Sequence, residues 1–171
     1  ALSSAASDVY KRQYSYYKKL GAEKKPSLPE PFTASRYEDA QRFQNYSCSP
    51  VMEGFEPDTH AAEQWSDPFK GGWIAHKQGS CIKFNVSGSI IMLQYRKTIN
   101  KPAPVAYAVI DGDRQNKVLL DANFDEDWGD LCCLEEIYSG AKGEHTVEIV
   151  IDTEGKENSD FMLISVITAN K

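Results

Sequence analysis

An acidic loop is the stretch of this sequence whose residue types and spacing best suit chemistry. Residues 120–130 read LDANFDEDWGD, which places Asp121, Asn123, Asp125 and Asp127 at alternate positions. Calcium takes roughly six to eight oxygen ligands, and oxygen-bearing side chains at every second residue of a tight loop supply several of them. Solvated acidic loops have the same composition. Two interpretations therefore stand: a calcium site formed by these four residues, or acidic side chains in solvent.

The loop departs from the EF-hand pattern at two places. Glu126 stands where that motif needs its turn glycine, and Cys132 replaces the closing glutamate. No other group of metal-ligating residues has a recognisable spacing. Structural calcium is therefore the one cofactor that the sequence suggests, and otherwise we expect none.

Aromatic residues form a second candidate site, for a carbohydrate. Sugar rings stack on exposed aromatic faces while neighbouring Asp, Asn and Gln side chains bind the hydroxyl groups. Trp73 and Trp128 stand beside glycines that would leave their rings open, and we predict ligand contacts for Trp73, Trp128 and Tyr95. The alternative is that these rings plug the ends of a hydrophobic core, because large aromatic residues of small β-domains are usually buried. The other aromatic residues considered are Trp65, Phe124, Tyr46, Tyr107 and Tyr138.

Catalytic residues are not predicted in this chain. No serine lies in a G-x-S-x-G motif, and the three histidines are His60, His76 and His145. His145 falls in a strongly alternating segment, which favours a structural role, and His60 follows Asp58 in a surface loop with no nucleophile nearby in sequence.

The elements that must position these residues are short β-strands. From Gly71 onward, apolar and polar residues alternate with period two, as in the runs 82–86, 91–95, 105–109 and 145–151. Ser87-Gly88 and Asp111-Gly112 predict turns. Strands are also predicted at 118–120, 131–138 and 161–167, with Phe161, Leu163, Ser165 and Ile167 on one face. The pattern predicts an all-β fold, an antiparallel β-sandwich or jelly roll. Several strands are apolar on both faces, which is typical of strands covered on both sides.

The first 43 residues follow a different pattern. Tyr14, Tyr17 and Leu20 have helical spacing, and three prolines between residues 26 and 31 predict an extended linker. We place the domain boundaries at 14–34 for the helix end and linker and at 35–171 for the sandwich. Residues 35–43 fit either a short helix with a capping box or a strand that leads into the sheet.

Charge and cysteine usage limit the classes of partner. The net charge is −6, and no basic patch exists to bind nucleic acid. No segment is long and apolar enough to span a membrane. The four cysteines lack C-x-x-C spacing; they suit buried free thiols, or one of Cys132 and Cys133 could pair with Cys48 or Cys81.

The residues before Tyr14 need a separate explanation. Ser3–Gln13, SSAASDVYKRQ, resembles the in-frame translation of a sequencing-library adapter. On that basis we expect residues 1–13 to be an artefact of a metagenomic gene fragment, to pack poorly or extend as a tail, and to stand where an upstream part of the natural protein was lost.

Several motifs together resemble a known family. GSCIKFNVSGSIIMLQYRK, AYAVIDGD, FDEDWGD and GEHTVEIVI look like the β-sandwich accessory domain that follows the catalytic domain in bacterial SGNH (GDSL-type) hydrolases. LPEPFTASRYEDA resembles the segment that joins the two domains. The Gly-Asp-Ser motif of that family is absent, and no histidine has an aspartate three residues before it.

The resemblance implies a non-catalytic accessory module of a secreted or cell-surface bacterial carbohydrate esterase. Its partners would be the upstream catalytic domain and a glycan, with no nucleic acid and no membrane. Two other functions stay open: a sandwich that only buttresses the catalytic domain, and an esterase in its own right.

Overall fold

The structure, a computed structural model, describes residues 2–19, 35–60, 67–152 and 160–170. The proline-rich linker and Trp65 lie outside these ranges. The contact pattern divides the chain into two compact units, Ala1–Ala34 and Ser35–Lys171.

The described part of the first unit is the helix α1 (Leu2–Lys19). Its sequence has no glycine or proline and is rich in residues that favour helices, which explains why the helix continues through the whole stretch. The helical prediction from Tyr14 onward is therefore confirmed. Ser3–Gln13 belongs to the same helix and is not an extended tail, and the described side chains of Lys11, Arg12 and Gln13 are exposed. The rings of Tyr14, Tyr16 and Tyr17 are exposed.

The second unit is built from antiparallel strands. They are β1 (Glu38–Phe43), β2 (Val51–Glu53), β3 (Phe55–Pro57), β4 (Trp73–Ala75), β5 (Cys81–Lys97), β6 (Val105–Ile110), β7 (Val118–Asp121), β8 (Leu131–Ile151) and β9 (Phe161–Asn170). Residues 38–43 are thus a strand and not the short helix, because they pair with the last strand, β9.

Two long strands, β5 and β8, pair with each other along almost their whole lengths and take part in both layers of the sandwich. The predicted turn at Ser87-Gly88 is wrong: β5 continues through it, and its register shifts between Gly88 and Ile90. A Cβ atom at Gly88 would lie 3.1 Å from the carbonyl oxygen of Ala169, so a glycine allows this close approach.

Each layer takes one half of the two long strands. The first layer contains β2, residues 81–88 of β5, residues 143–151 of β8, β6 and β7. The second layer contains β3, β4, β9, residues 90–97 of β5 and residues 131–139 of β8, with β1 also pairing with β9. The predicted fold class, an antiparallel β-sandwich of the jelly-roll type, is confirmed.

The main core lies between the two layers. The Trp73 ring of the second layer meets the Phe84 ring of the first edge to face, with centroids 5.0 Å apart. The face predicted for β9 is partly wrong, because a register shift opposite Gln94 and Tyr95 puts Val166 in this core and turns Ile167 to the other face.

The outer face of the second layer is also apolar. Ile90, Met92 and Ala169 are buried there in a cluster of their own, apart from the main core. Ile74, Met162 and Ile164 form another such cluster. The prediction of strands that are apolar on both faces therefore applies to this layer.

Candidate functional site

The acidic loop connects β7 to β8 and is held against the residues that follow β5. The Thr98 amide donates to the Ala122 carbonyl oxygen (2.7 Å), and the Phe124 amide donates to the Thr98 carbonyl oxygen (3.1 Å). At the end of the loop that leads into β8, the Ile99 amide donates to Oδ1 of Asp130 (3.3 Å). These bonds fix both ends of the loop at one end of the sandwich.

An exposed aromatic pair stands on this loop. The Trp128 side chain is 65% exposed, and its ring meets the ring of Phe124 edge to face with centroids 5.2 Å apart. We call these two residues the Trp128 platform. Because Phe124 fixes one edge of the indole, the rest of the ring remains available to a ligand from solvent.

The other two predicted ligand contacts lie elsewhere in the fold. Trp73 is 1% exposed and Tyr95 is 2% exposed, and both belong to the main core. Tyr95 stacks on Phe161, and its hydroxyl group donates to the Asp121 carbonyl oxygen (3.4 Å). Neither ring presents a face to solvent, as the alternative of rings buried in the core expected, whereas the Trp128 ring is exposed.

The four predicted calcium ligands do not converge on a common point. Within the described ranges, no three His, Cys, Asp or Glu side chains are arranged to hold a metal ion. Oδ1 of Asp121 accepts the Asn123 amide (2.8 Å), and the Asn123 side-chain amide donates to Oδ1 of Asp125 (3.1 Å). Asp127 is exposed. The arrangement is that of an acidic loop in solvent, and it does not support the predicted calcium site.

A lysine cation pairs with the loop. Nζ of Lys101 donates a short hydrogen bond to Oδ1 of Asp125. This bond, with a smaller contribution from the Asn123 side chain, holds the pKa of Asp125 below its usual value. Lys101 lies far from the loop in sequence and belongs to no motif, so no spacing signal could have identified it.

Arg96 pairs with the other end of the loop. Its Nε lies 3.7 Å from Oδ2 of Asp130, and its Nη2 donates to the Asp160 carbonyl oxygen (3.1 Å). Arg96 therefore connects the loop to the start of β9. It too was absent from the predicted site, because only the pairing of β5 with β8 and β9 brings it there.

Each histidine ring is hydrogen-bonded to an acidic side chain. The pairs are His60 with Asp58 (2.8 Å), His76 with Asp160 (2.6 Å) and Glu56 (3.1 Å), and His145 with Asp111 (2.7 Å). Among the described residues, no serine hydroxyl or cysteine thiol is hydrogen-bonded to any of these rings. The nucleophile that an acid–histidine pair would activate is therefore missing from these pairs.

The cysteines also lack the features of reactive thiols. All four are free and partly buried. Burial raises the pKa of Cys48, Cys81 and Cys132, which keeps these groups in the less nucleophilic thiol form. Of the two sequence interpretations, the structure shows free thiols and no disulfide pair.

A groove lies on the outer face of the first layer, away from the Trp128 platform. It has a volume of about 240 Å³ and is lined by Tyr107, Val109, Arg114, Lys117, Val150 and Asp152. Nζ of Lys117 stands 3.5 Å from the centre of the Tyr107 ring. Because this cation already covers the aromatic face, the groove suits sugar stacking less well than the Trp128 platform.

Comparison with known proteins gives a specific structural likeness. The crystal structure of a two-domain esterase (CEX) active on acetylated mannans matches with a TM-score of 0.77 and 42% identity, over 88% of this chain and 42% of that chain. The structure of the same esterase co-crystallised with mannopentaose matches with a TM-score of 0.77 and 38% identity, over 98% of this chain and 46% of that chain. The chain thus spans less than half of the esterase.

More distant structures share the fold alone. The CBM36-1 domain of a multidomain xylanase from the hindgut metagenome of Trinervitermes trinervoides matches with a TM-score of 0.51 and 11% identity, over 75% of this chain and 95% of that domain.

No family model matches the chain. A search of curated proteins also finds no match. No helix in the described part of the chain is long and apolar enough to cross a membrane. Taken together, the chain is similar in sequence and structure to one part of a two-domain esterase and has the jelly-roll fold of a carbohydrate-binding module.

Proposed function

We propose that this chain is a non-catalytic, carbohydrate-binding accessory module of a larger carbohydrate esterase, and that Trp128 is its principal ligand contact. The observation that carries the proposal is the exposed Trp128 platform on a loop held at both ends. A fixed, flat apolar ring with polar neighbours is the kind of surface on which a sugar ring stacks.

The likeness to the two-domain esterase supports the class of ligand. That esterase is active on acetylated mannans and was co-crystallised with mannopentaose. Since the present chain is 42% identical to part of it, a mannan is the first glycan to test.

The catalytic domain of the parent protein would be of the SGNH type and would act outside the cell or at its surface. The resemblance of the strand motifs to accessory domains of that family supports this assignment. An accessory module that holds the polysaccharide near the catalytic domain raises the effective concentration of substrate without any new chemistry.

The experiment is a calorimetric titration of the full chain with mannopentaose. We expect saturable binding that Trp128→Ala reduces at least tenfold, because the substitution removes the stacking surface. Tyr46→Ala is the matched control, since it removes a ring that is 79% exposed on another part of the sandwich. Equal affinities of the wild-type chain and Trp128→Ala would overturn the proposed role of Trp128.

A purely structural role for the sandwich is the second candidate. The observation in its favour is a set of exposed apolar side chains on the strands of the sandwich, those of Val51, Leu119 and Leu134. Apolar side chains that stay exposed on a sandwich are available to contact a neighbouring domain. The same titration separates the two functions, because a buttress without a ligand site would bind neither mannopentaose nor any other glycan.

An esterase in its own right has less support. The hydrogen bonds of all three histidine rings go to carboxylates, and within the described ranges none goes to a hydroxyl or thiol that could act as nucleophile.

A further inference from the structure

We propose that the Trp128 platform discriminates between sugars by their charge: it accepts neutral glycans and disfavours those that carry carboxylates. The residues that produce this selection are Glu126 and Asp127. The inference rests on the proposed function, because it concerns the ligand class of the same site.

The loop around the platform is strongly acidic. Between Asp121 and Asp130 the sequence contains five acidic residues and no basic residue. The structure brings three cations to this loop from other elements: Lys101 pairs with Asp125, Arg96 pairs with Asp130, and the charge of Lys97 also acts on Asp125. Five negative charges and three positive charges leave a net charge of −2.

Glu126 and Asp127 carry most of this uncompensated charge. Both side chains are exposed, and in the described part of the chain neither has an ion-pair or hydrogen-bond partner. They directly precede Trp128, and consecutive Cα atoms lie about 3.8 Å apart. The Cα atoms of both residues therefore lie within about one Debye length, roughly 8 Å at physiological ionic strength, of the Trp128 Cα atom.

Opposite effects follow for two kinds of ligand. The negative charge of the loop does not lower the affinity of a neutral sugar, and the hydroxyl groups of that sugar can donate hydrogen bonds to the free carboxylates. A sugar carboxylate at the same place is repelled by at least two unpaired negative charges. The site lies in solvent, so the repulsion is moderate and salt screens it.

The test compares two ligands that differ mainly in charge. Mannopentaose is neutral, and the mannuronate pentasaccharide carries a carboxylate on every ring. In calorimetric titrations of the full chain at low ionic strength, we expect the uronate to bind at least about tenfold more weakly, and the gap to narrow to a few-fold in about 0.5 M salt. Salt alone therefore tests the inference without any substitution.

A double variant identifies the residues responsible. Glu126→Gln with Asp127→Asn keeps the shape of both side chains and removes their charges, and we expect it to reduce the difference between the two ligands. The control is Glu53→Gln with Glu144→Gln, which makes the same change in net charge at exposed positions on β2 and β8. If Glu126→Gln with Asp127→Asn changes the ratio of the affinities for the two pentasaccharides and the control variant does not, the charges beside the platform are responsible for the selection.

The outcomes separate this inference from the proposed function. Equal binding of both pentasaccharides at low salt, or the same change in both double variants, overturns charge selection by the loop and leaves glycan binding in place. Binding of neither ligand overturns the proposed function together with this inference.

Discussion

Trp128 and Trp73 differ in what surrounds the indole ring. Trp73 lies on a strand paired on both sides, by β3 and β9, and packs against Phe84 across the core. Trp128 lies in a loop where Phe124 is the one ring that contacts it among the described aromatic residues. The first ring therefore contributes to stability, and the second remains available for binding.

The sequence could not separate these two tryptophans. Both stand beside glycines, and β4 is only three residues long, which is too short to show a period of two. The loop prediction placed Trp128 in a surface segment, because an acidic, glycine-containing stretch is typical of one. The buried ring depends on pairing with β9, which lies some ninety residues away (Trp73↔Leu163).

A titratable contact at the residue scale gives a pH-dependent prediction. The ring of His76 links Glu56 of β3 to Asp160 before β9, and hydrogen bonds to Glu56 and then Asp160 raise its pKa. The contribution to stability is fully present below the usual histidine pKa of about 6.5, and it is lost as the pH rises through the raised folded value. The groups are about half exposed, so we expect about 1 kcal/mol or less.

Urea unfolding of the wild-type chain and His76→Gln at pH values from 5.5 to 9 measures this contribution. The wild-type chain should be the more stable at pH 5.5, and the difference should shrink toward pH 9. Lys77→Gln, which removes a neighbouring exposed cation, is the control. A difference that stays constant with pH would contradict the assignment.

At the scale of elements, β5 and β8 organise the sandwich. The sequence predicts each of these long strands as two shorter ones, since Ser87-Gly88 resembles a hairpin turn and residues 139–144 resemble a loop. A bend inside a long strand and a turn between two strands use the same residue types. By contrast, β6 and β7 were predicted well, because Asp111-Gly112 adopts the positive φ angles of 51° and 76° that a tight turn needs.

Gly72 gives a prediction at the same scale. A Cβ atom there would lie 2.0 Å from the Leu163 carbonyl oxygen, inside the pairing of β4 with β9. We expect Gly72→Ala to destabilise the sandwich by about 2 kcal/mol or more, within the range for overpacking. Gly143→Ala is the control, because its new Cβ would make only an ordinary contact, at 3.5 Å from the His145 ring. Equal melting temperatures of the two variants would show that β9 can move away without cost.

The whole molecule consists of two compact units, and only the second contains the sandwich and the Trp128 platform. The all-β class was predictable because strand alternation is local in sequence. The pairs Lys101–Asp125 and Arg96–Asp130 were not predictable, because they depend on which loops meet at one end of the sandwich.

Removal of residues 1–34 tests the proposed domain division. We expect Ser35–Lys171 to keep the melting temperature of the full chain within about 2 °C and to bind mannopentaose equally well, because the core and the platform lie wholly in the second unit. Thermal unfolding followed by circular dichroism, with the titration described above, measures both. A fall of ten degrees or more would show that the first unit belongs to the folding unit.

The continuity of β8 has a mechanical consequence. The Trp128 platform stands three residues before this strand, which runs from Leu131 to Ile151 through both layers and pairs with β5 and β6. Tension on a polysaccharide bound at the platform would pass directly into β8 and act along its hydrogen bonds in shear. Many bonds would then share the tension at once, so a polysaccharide bound as proposed would pull on the sandwich in a direction in which its strands resist separation.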